Sequence, residues 1–502
     1  MLINSLVAIV IIIYIFSLLF IFCYSLVQLN LAITYLRNKR SLRKKNIAPP
    51  NSITDFPLVT IQLPIYNERY VVERLLDAVS LIEYPKDRLE IQVLDDSTDD
   101  TVQIIEKKME QLKDRGFNIM QVRRMNRNGY KAGALSNGLK LTKGEFIAVF
   151  DSDFLPKPDF LLQTVPHFKD PQIGAIQTRW EHLNKNYSLL TKLQAFGLDA
   201  HFTVEQNGRN IGGHFINFNG TAGIWRKECI TNSGGWKSDT LTEDLDLSYR
   251  AQLAGWKFMY IEKIGTPAEL PLAMNALKIQ QFRWNKGGAE CAKKYLPSVL
   301  KRHDLKLSTK VHAVFHLLNS TVFIFILSTA LLSIPMLFIK KYFLNLSGTF
   351  YYASFFLISV VILSLYYFTS LAQQEKRFPR NLFQFLAIFP LFLSISMGLA
   401  LHNAIAVIEG FMGKKTAFNR TPKFNTLASK DSWKSNQYLE NSITWMTILE
   451  GLLALYFTAG IAIGVYLKDY GLLPFHILLT FGFGIVFYYS LAHSRSISVA
   501  AK

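Results

Sequence analysis

A chain of 502 residues, half of them hydrophobic and with a net charge of +18, has room for two or three domains. Its apolar residues gather into long uncharged runs, which excludes a wholly water-soluble protein, and its basic residues sit beside those runs, which argues against nucleic acid as the partner. Three cysteines (Cys23, Cys229 and Cys291) without a CxxC spacing exclude a disulfide framework and a zinc ribbon.

Residues 1–36 carry no charged side chain and exceed the roughly 20 apolar residues that a span requires, so they are expected to form a transmembrane helix. The run is too long for a signal-peptide core and lacks a small-residue cleavage site. Arg37, Lys39, Arg40, Arg43, Lys44 and Lys45 follow it. Positive charge beside a span marks the cytoplasmic face, which makes 37–54 a basic juxtamembrane linker and places the next domain in the cytoplasm. Anionic lipid headgroups would meet these basic edges, so the lipid bilayer is the partner that the net charge implies. A short N-terminus without a tail points to a bacterial plasma membrane rather than a Golgi membrane.

Residues 55–308 alternate strand and helix signals. "PLVTIQLP" (57–64) reads as a strand, and in "YNERYVVERLLDAVSLI" Asn67 is expected to cap a helix. "LEIQVLDD" (89–96), "NIMQVRR" (118–124) and "EFIAVFDSD" (145–153) read as further strands, separated by the helical "TVQIIEKKMEQL" and "KAGALSNGLKL". Such alternation predicts an α/β, Rossmann-like domain with a mostly parallel sheet covered on both faces. Ligands of such sheets bind beyond the carboxyl ends of the strands, and two of these strands end in acidic clusters.

Residues 309–502 return to the membrane. Spans are expected at 311–339, 349–372, 442–467 and 471–492. The basic loop 413–441 should be cytoplasmic, and parity then requires 381–412 to be interfacial or re-entrant. Pro390 and Gly398 are expected to bend it. The polar His316, Asn319, His402, Asn403, Glu409 and Glu450 are candidates to line a substrate path.

Five groups of residues could carry chemistry. Asp151 and Asp153 in "VFDSDF" can hold Mg2+ or Mn2+, which takes one or two carboxylates and completes its shell with diphosphate oxygens. Asp95 and Asp96 can accept the N–H groups of a nucleobase. Lys131 precedes a helix, where its ammonium and the helix N-terminus would both meet phosphate. In "LTEDLDL", Thr242 and Glu243 precede Asp244, a candidate general base for an acceptor hydroxyl. In "QQFRW", helical spacing puts Gln280 and Arg283 on one face. Arg283 can clamp a diphosphate, and Trp284 offers a flat face to a sugar.

In this order, between membrane spans, the set resembles the membrane-embedded family 2 glycosyltransferases, the group of cellulose, chitin and hyaluronan synthases. "QVLDDSTDDT", "GHFINFNGTAGIWR", "GWKSDTLTEDLDL" and "GWKFMY" are most similar to the cellulose synthase-like A and C proteins, the mannan and xyloglucan-backbone synthases. The resemblance spans roughly 55–440. It implies a GT-A-type domain that transfers hexose from a nucleotide-sugar donor, GDP-mannose or UDP-glucose, to a β-glycan acceptor with inversion. It also implies that Asp96, with Asp95, holds the base, and that Asp151, Lys131, Gln280 and Arg283 hold the rest of the donor. Asp153 would bind metal, and Asp244 would be the base. Trp284, Asn219, Gly220 and Thr221 would face the acceptor, with Trp180 as a further candidate.

"FNRTPK" resembles the gating loop of cellulose synthases, with Phe418, Thr421 and Lys423 in register, although Arg420 stands where those carry Val. Ser97 follows Asp96 without the usual Gly, and Gly129 replaces a His. Two rival functions share these residues: an enzyme of the same fold that adds one sugar to a lipid acceptor, and an inactive export scaffold.

Overall fold

The computed structural model describes residues 2–45, 55–343, 357–374, 378–426, 438 and 443–500. Part of the expected linker (46–54), the first residues of the expected 349–372 span and loop positions such as Lys430 and Lys434 lie outside them. Strands β1 (Val59–Ile65), β2 (Leu89–Asp95), β3 (Asn118–Arg123), β4 (Phe146–Val149), β5 (Ile173–His182), β6 (Gly223–Arg226) and β7 (Lys257–Ala268) form one sheet in the order β3-β2-β1-β4-β6-β5-β7. All pairs are parallel except the two made by β6, which runs antiparallel to both β4 and β5. The mostly parallel sheet is therefore as expected, but β5, β6 and β7 extend it past the strands legible from periodicity.

Alternate strand residues face opposite layers. Ile61, Leu63, Ile91, Val93 and Ala148 pack with Val72, Leu75, Leu76 and Val79 on one side. Ile147, Val149 and Leu94 pack with Leu135, Trp225 and Leu247 on the other. Both faces being covered, the sheet leaves the carboxyl ends of β1, β2 and β4 as the open edge for a ligand.

Asn67 does not cap a helix. The helix begins at Val72, while Asn67 adopts a left-handed conformation (φ 54°) and joins two strand-end turns. Its Oδ1 accepts from Thr98 N (2.8 Å), and its own N–H donates to Ser97 Oγ (2.9 Å). Asn tolerates this region better than most residues, so the turn chemistry prevails over capping.

Among the described residues, five helices are long and apolar enough to cross a membrane: Ser5–Lys39, Asn319–Tyr342, Pro379–Gly398, Trp445–Tyr466 and Leu473–Ser494. The described part of the expected 349–372 span is a shorter apolar helix, Ile358–Gln373. The expected 311–339 span is broken. Leu307–Leu317 is a separate helix whose His312 and His316 turn to the α/β domain, His316 lying 2.9 Å from Tyr249 Oη. In the 381–412 segment Pro390 stays inside the helix Phe378–Gly398, and the break comes at Leu399 before Ala400–Met412. Gly398 packs on Gly482 so closely that a Cβ would lie 2.3 Å from the Gly482 carbonyl oxygen. Small residues permit such backbone approach. The same helix lies against Leu189–Ala200 of the α/β domain through Phe385 and Phe392, which pack on Phe196.

Candidate active site

The carboxyl ends of β1, β2 and β4 open onto a cavity of about 170 Å³, closed by the start of the Glu243–Leu253 helix, by Met274–Lys301 and by the segment 418–423. Asp96, Lys131, Asp151, Asp153, Asn219, Gly220, Thr242, Glu243, Asp244, Gln280, Arg283, Trp284, Trp180, Phe418, Thr421 and Lys423 all line it. Two expected contacts do not. Asp95 is fully buried, with Oδ1 accepting from Ser97 N (2.8 Å) and Oδ2 from Gln121 Nε2 (2.8 Å), so it builds the turn that presents Asp96. Thr221 is also behind the wall: its hydroxyl accepts from Asp151 N (2.8 Å) and positions that residue rather than an acceptor.

Asp96 pairs with Arg124 through both oxygens, Arg124 Nε donating to Oδ1 at 2.9 Å. Lys131 spans the cavity floor. Its ammonium is 2.6 Å from Asp151 Oδ1 and 3.7 Å from Glu243, and donates to the Gly220 carbonyl at 2.9 Å. Burial works against that charge, but Asp151 and Glu243 hold the Lys131 pKa above its ordinary value. Gly220 needs its left-handed φ of 81°, and a Cβ there would meet Asp244 Oδ2 at 3.1 Å. Burial first, then the adjacent Glu243, pushes Asp244 up to about 7, with Lys131 pulling the other way. A carboxylate tuned near neutrality beside a cavity has the properties of a general base.

Asp151 is partly exposed, whereas Asp153 is 1% exposed and its Oδ1 has no hydrogen-bond partner among the described residues. No group of three or more His, Cys, Asp or Glu side chains among the described residues is arranged to hold a metal. Two carboxylates with an orphaned oxygen fit Mg2+ or Mn2+ with diphosphate completing the shell, and do not fit a cation held by protein alone.

Residues 57–287 match the profile of the family described as glycosyltransferase like family 2. This segment is a family 2 glycosyltransferase domain. The chain is 42% identical over 267 residues to glucomannan 4-beta-mannosyltransferase 2 of Arabidopsis thaliana, covering 52% of this chain and 50% of that protein. It is 44% identical over 262 residues to probable glucomannan 4-beta-mannosyltransferase 11 of Oryza sativa subsp. japonica, covering 51% and 46%. The chain thus spans about half the length of the curated relatives it matches. Among solved structures it is similar to a mannosyltransferase from Pyrobaculum calidifontis in complex with GDP-Man and Mn2+, with TM-score 0.49, 16% identity, and coverage of 79% of this chain and 100% of that one.

The glycosyltransferase domain is entered by a loop from outside it. Phe418 stacks on Tyr130, and the Arg283 guanidinium sits 4.4 Å above the Phe418 ring. Arg283 Nη2 donates to Thr421 Oγ1 (2.9 Å), and Lys423 Nζ lies 2.7 Å from Asp153. Burial opposes the charge on Lys423, and the Asp153, Glu68 and Asp151 carboxylates together outweigh it and raise its pKa. The loop residues therefore engage Arg283 and Asp153, the groups expected to meet diphosphate and cation.

Sequence reasoning missed the groups that anchor this loop. Glu269 accepts from the N–H groups of Phe424 and Asn425 (3.1 Å each) and from Arg74 (2.6 Å). Glu68 pairs with Arg420 at 3.0 Å, and burial raises its pKa to about 7 against the pull of that guanidinium. Arg127 stacks 3.3 Å over Tyr66. Glu68 and Glu269 both stand just past a strand end, but only the strand before Glu68 was legible from periodicity.

Trp180 packs between Phe154 and Phe202, with Trp284 at 6.4 Å. Behind Trp284 lies a second cavity of about 350 Å³. Gln280, Trp284 and Leu198 line both. Its walls carry Tyr24, Gln28, Asn319, Tyr366, Tyr367 and Asn403, contributed by the apolar helices.

Proposed function

We propose that this chain is an inverting, metal-dependent, processive hexosyltransferase of a multi-pass membrane protein. It extends a β-glycan at a cytoplasmic site and passes the product through its own helices. The adjacency of the two cavities at Trp284 carries this reading. A site for a single sugar addition needs no second chamber lined by tyrosines and amides, whereas a polymer needs hydroxyl partners and aromatic faces behind the reacting end.

In the reaction Asp244 takes the proton of the acceptor hydroxyl as that oxygen attacks the anomeric carbon of the donor. The bond from that carbon to the diphosphate oxygen breaks, and the nucleoside diphosphate leaves with the electron pair. A single displacement inverts the centre, so an α-linked donor gives a β-linkage. Lys131 and Arg283 meet the negative charge that develops on the leaving group. A divalent cation held by Asp151 and Asp153 would neutralise further diphosphate charge. Trp284 stacks on the acceptor, with Gln280 beside it. The glucomannan 4-beta-mannosyltransferase relatives support mannose as the hexose and a 1,4-linkage. The helix Pro379–Gly398, pressed along the domain, is best placed at the cytoplasmic interface rather than across the bilayer.

Membranes containing the protein are incubated with Mn2+ and radiolabelled GDP-mannose or UDP-glucose. Label is expected from GDP-mannose in ethanol-insoluble material that a β-mannanase digests. Label confined to organic-extractable lipid would replace the polymer reading with glycolipid synthesis.

A further inference from the structure

The helix Leu189–Ala200 does not end cleanly. It passes into a π-helical turn, His201–Glu205, before Gln206–Ile211. Such wide turns give up regular hydrogen bonding and occur often at functional sites. This one brings His201 and Glu205 to the wall of the second cavity, in company with Trp284. An acceptor that stacks on Trp284 and trails into that cavity passes His201.

The Glu205 carboxylate is fully engaged. Oε1 accepts from Arg209 Nε (3.1 Å) and Nη2 (3.0 Å), and Oε2 lies 2.9 Å from His201 Nδ1. Arg209 is 1% exposed and is tied in turn to the His312 carbonyl at 3.0 Å. An ionised carboxylate only accepts, so His201 Nδ1 bears the hydrogen, and in the Nδ1–H tautomer Nε2 is an acceptor. Nε2 faces Asn219 Oδ1 at 3.4 Å, and that oxygen already accepts from Asn217 Nδ2 at 2.6 Å. In that tautomer both atoms are acceptors and cannot bond each other, which leaves the Nε2 lone pair for a ligand. On the same Asn219 amide, Nδ2 is buried without a partner among the described residues. A free acceptor and a free donor side by side match one sugar hydroxyl, which donates and accepts at once. Asn219 directly precedes Gly220, against which the Asp244 carboxylate packs, so this seat adjoins the reacting hydroxyl.

We propose that His201 Nε2 and Asn219 Nδ2 seat one non-reacting hydroxyl of the terminal acceptor sugar, and so select which neighbouring hydroxyl meets Asp244. Glu205 and Arg209 are the positioning residues that hold the imidazole in register. This rests on the transfer reading above and adds to it a determinant of linkage.

The test uses the full chain in lipid nanodiscs with soluble β-mannan oligosaccharides as acceptors. His201→Phe keeps a ring beside Phe202 and removes Nε2. Its acceptor KM rises about tenfold, the worth of one hydrogen bond, while the donor KM moves by less than about twofold, and linkage analysis detects bonds at a second hydroxyl. With unaltered protein, oligosaccharides deoxygenated at one terminal position lose the same factor, and the His201→Phe change adds nothing to that loss. An unchanged acceptor KM with unaltered linkage overturns the seat. A parallel rise in both KM values assigns His201 to structure and overturns it too. Wild-type protein that extends no oligosaccharide and labels only lipid instead fails the polymer reading itself, and the seat falls with it.

Discussion

At the scale of single residues, Asp244, as the proposed base, is expected to set the pH dependence. A base works only when deprotonated, and burial together with Glu243 raises its pKa to about 7, so kcat/KM is expected to climb as pH rises through that value. Glu243→Gln removes the neighbouring negative charge, which brings the Asp244 pKa down and moves the climbing limb to lower pH. A limb that stays in place would show that another group titrates. Asp244→Asn is expected to lower kcat by about 10²- to 10⁴-fold with donor affinity retained, measured by initial rates and nucleotide binding. Of the residues around this base, the sequence exposed the acids by their order and spacing. It could not separate Asp96 from Asp95, because adjacent strand-end residues face opposite ways and only the fold sends one inward.

At the scale of elements, the segment 413–426 is held against the cavity by two anchors. Lys286, fully buried on the helix of Arg283, holds Glu409 at 3.2 Å and also contacts Thr416, while Glu269 grips the backbone at Phe424 and Asn425. Between the anchors, Lys423 stands on Asp153 where a divalent cation is expected. Cation and ammonium then compete for one carboxylate. Lys423→Met is expected to tighten Mn2+ binding by donor-free protein on the order of tenfold, read from the electron paramagnetic resonance of free Mn2+. Unchanged affinity would separate Asp153 from the metal. The register of Phe418, Thr421 and Lys423 was legible in the sequence. That Arg420 reaches Glu68 was not, because the two lie on segments that only the tertiary fold brings together.

At the scale of the whole molecule, the helix of Arg283 and Trp284 is bolted to the C-terminal helices. Lys278 Nζ lies 2.6 Å from Glu450 and donates to Ser490 at 2.9 Å, and His402 contacts the Lys278 carbonyl at 2.9 Å. Each of these side chains is buried. Removing one partner of a buried ion pair costs about 3–5 kcal/mol, because the other charge is left unpaired. Lys278→Met is therefore expected to lower Tm in detergent, and Lys278→Met combined with Glu450→Gln to recover much of the loss. A double variant no more stable than the single one would exclude charge pairing as the link. Glu450 was expected to line a substrate path; it instead ties the active-site helix to the membrane region.

What the sequence by itself determined is local. Periodicity marked the first strands, hydropathy marked most of the apolar helices, and the ordered acidic and Gln-x-x-Arg-Trp motifs marked the glycosyltransferase domain. These signals are carried by neighbours within one turn or one strand. The tertiary structure alone decided what depends on distant segments meeting. It joined β5, β6 and β7 to the sheet, broke the uncharged stretch at Leu318 where His312 and His316 turn to the domain, and set residues 418–423 against the cavity. It also placed His201 beside Asn219. Burial and pairing across such distances set which charges are free and which are engaged, and no window of sequence contains both partners.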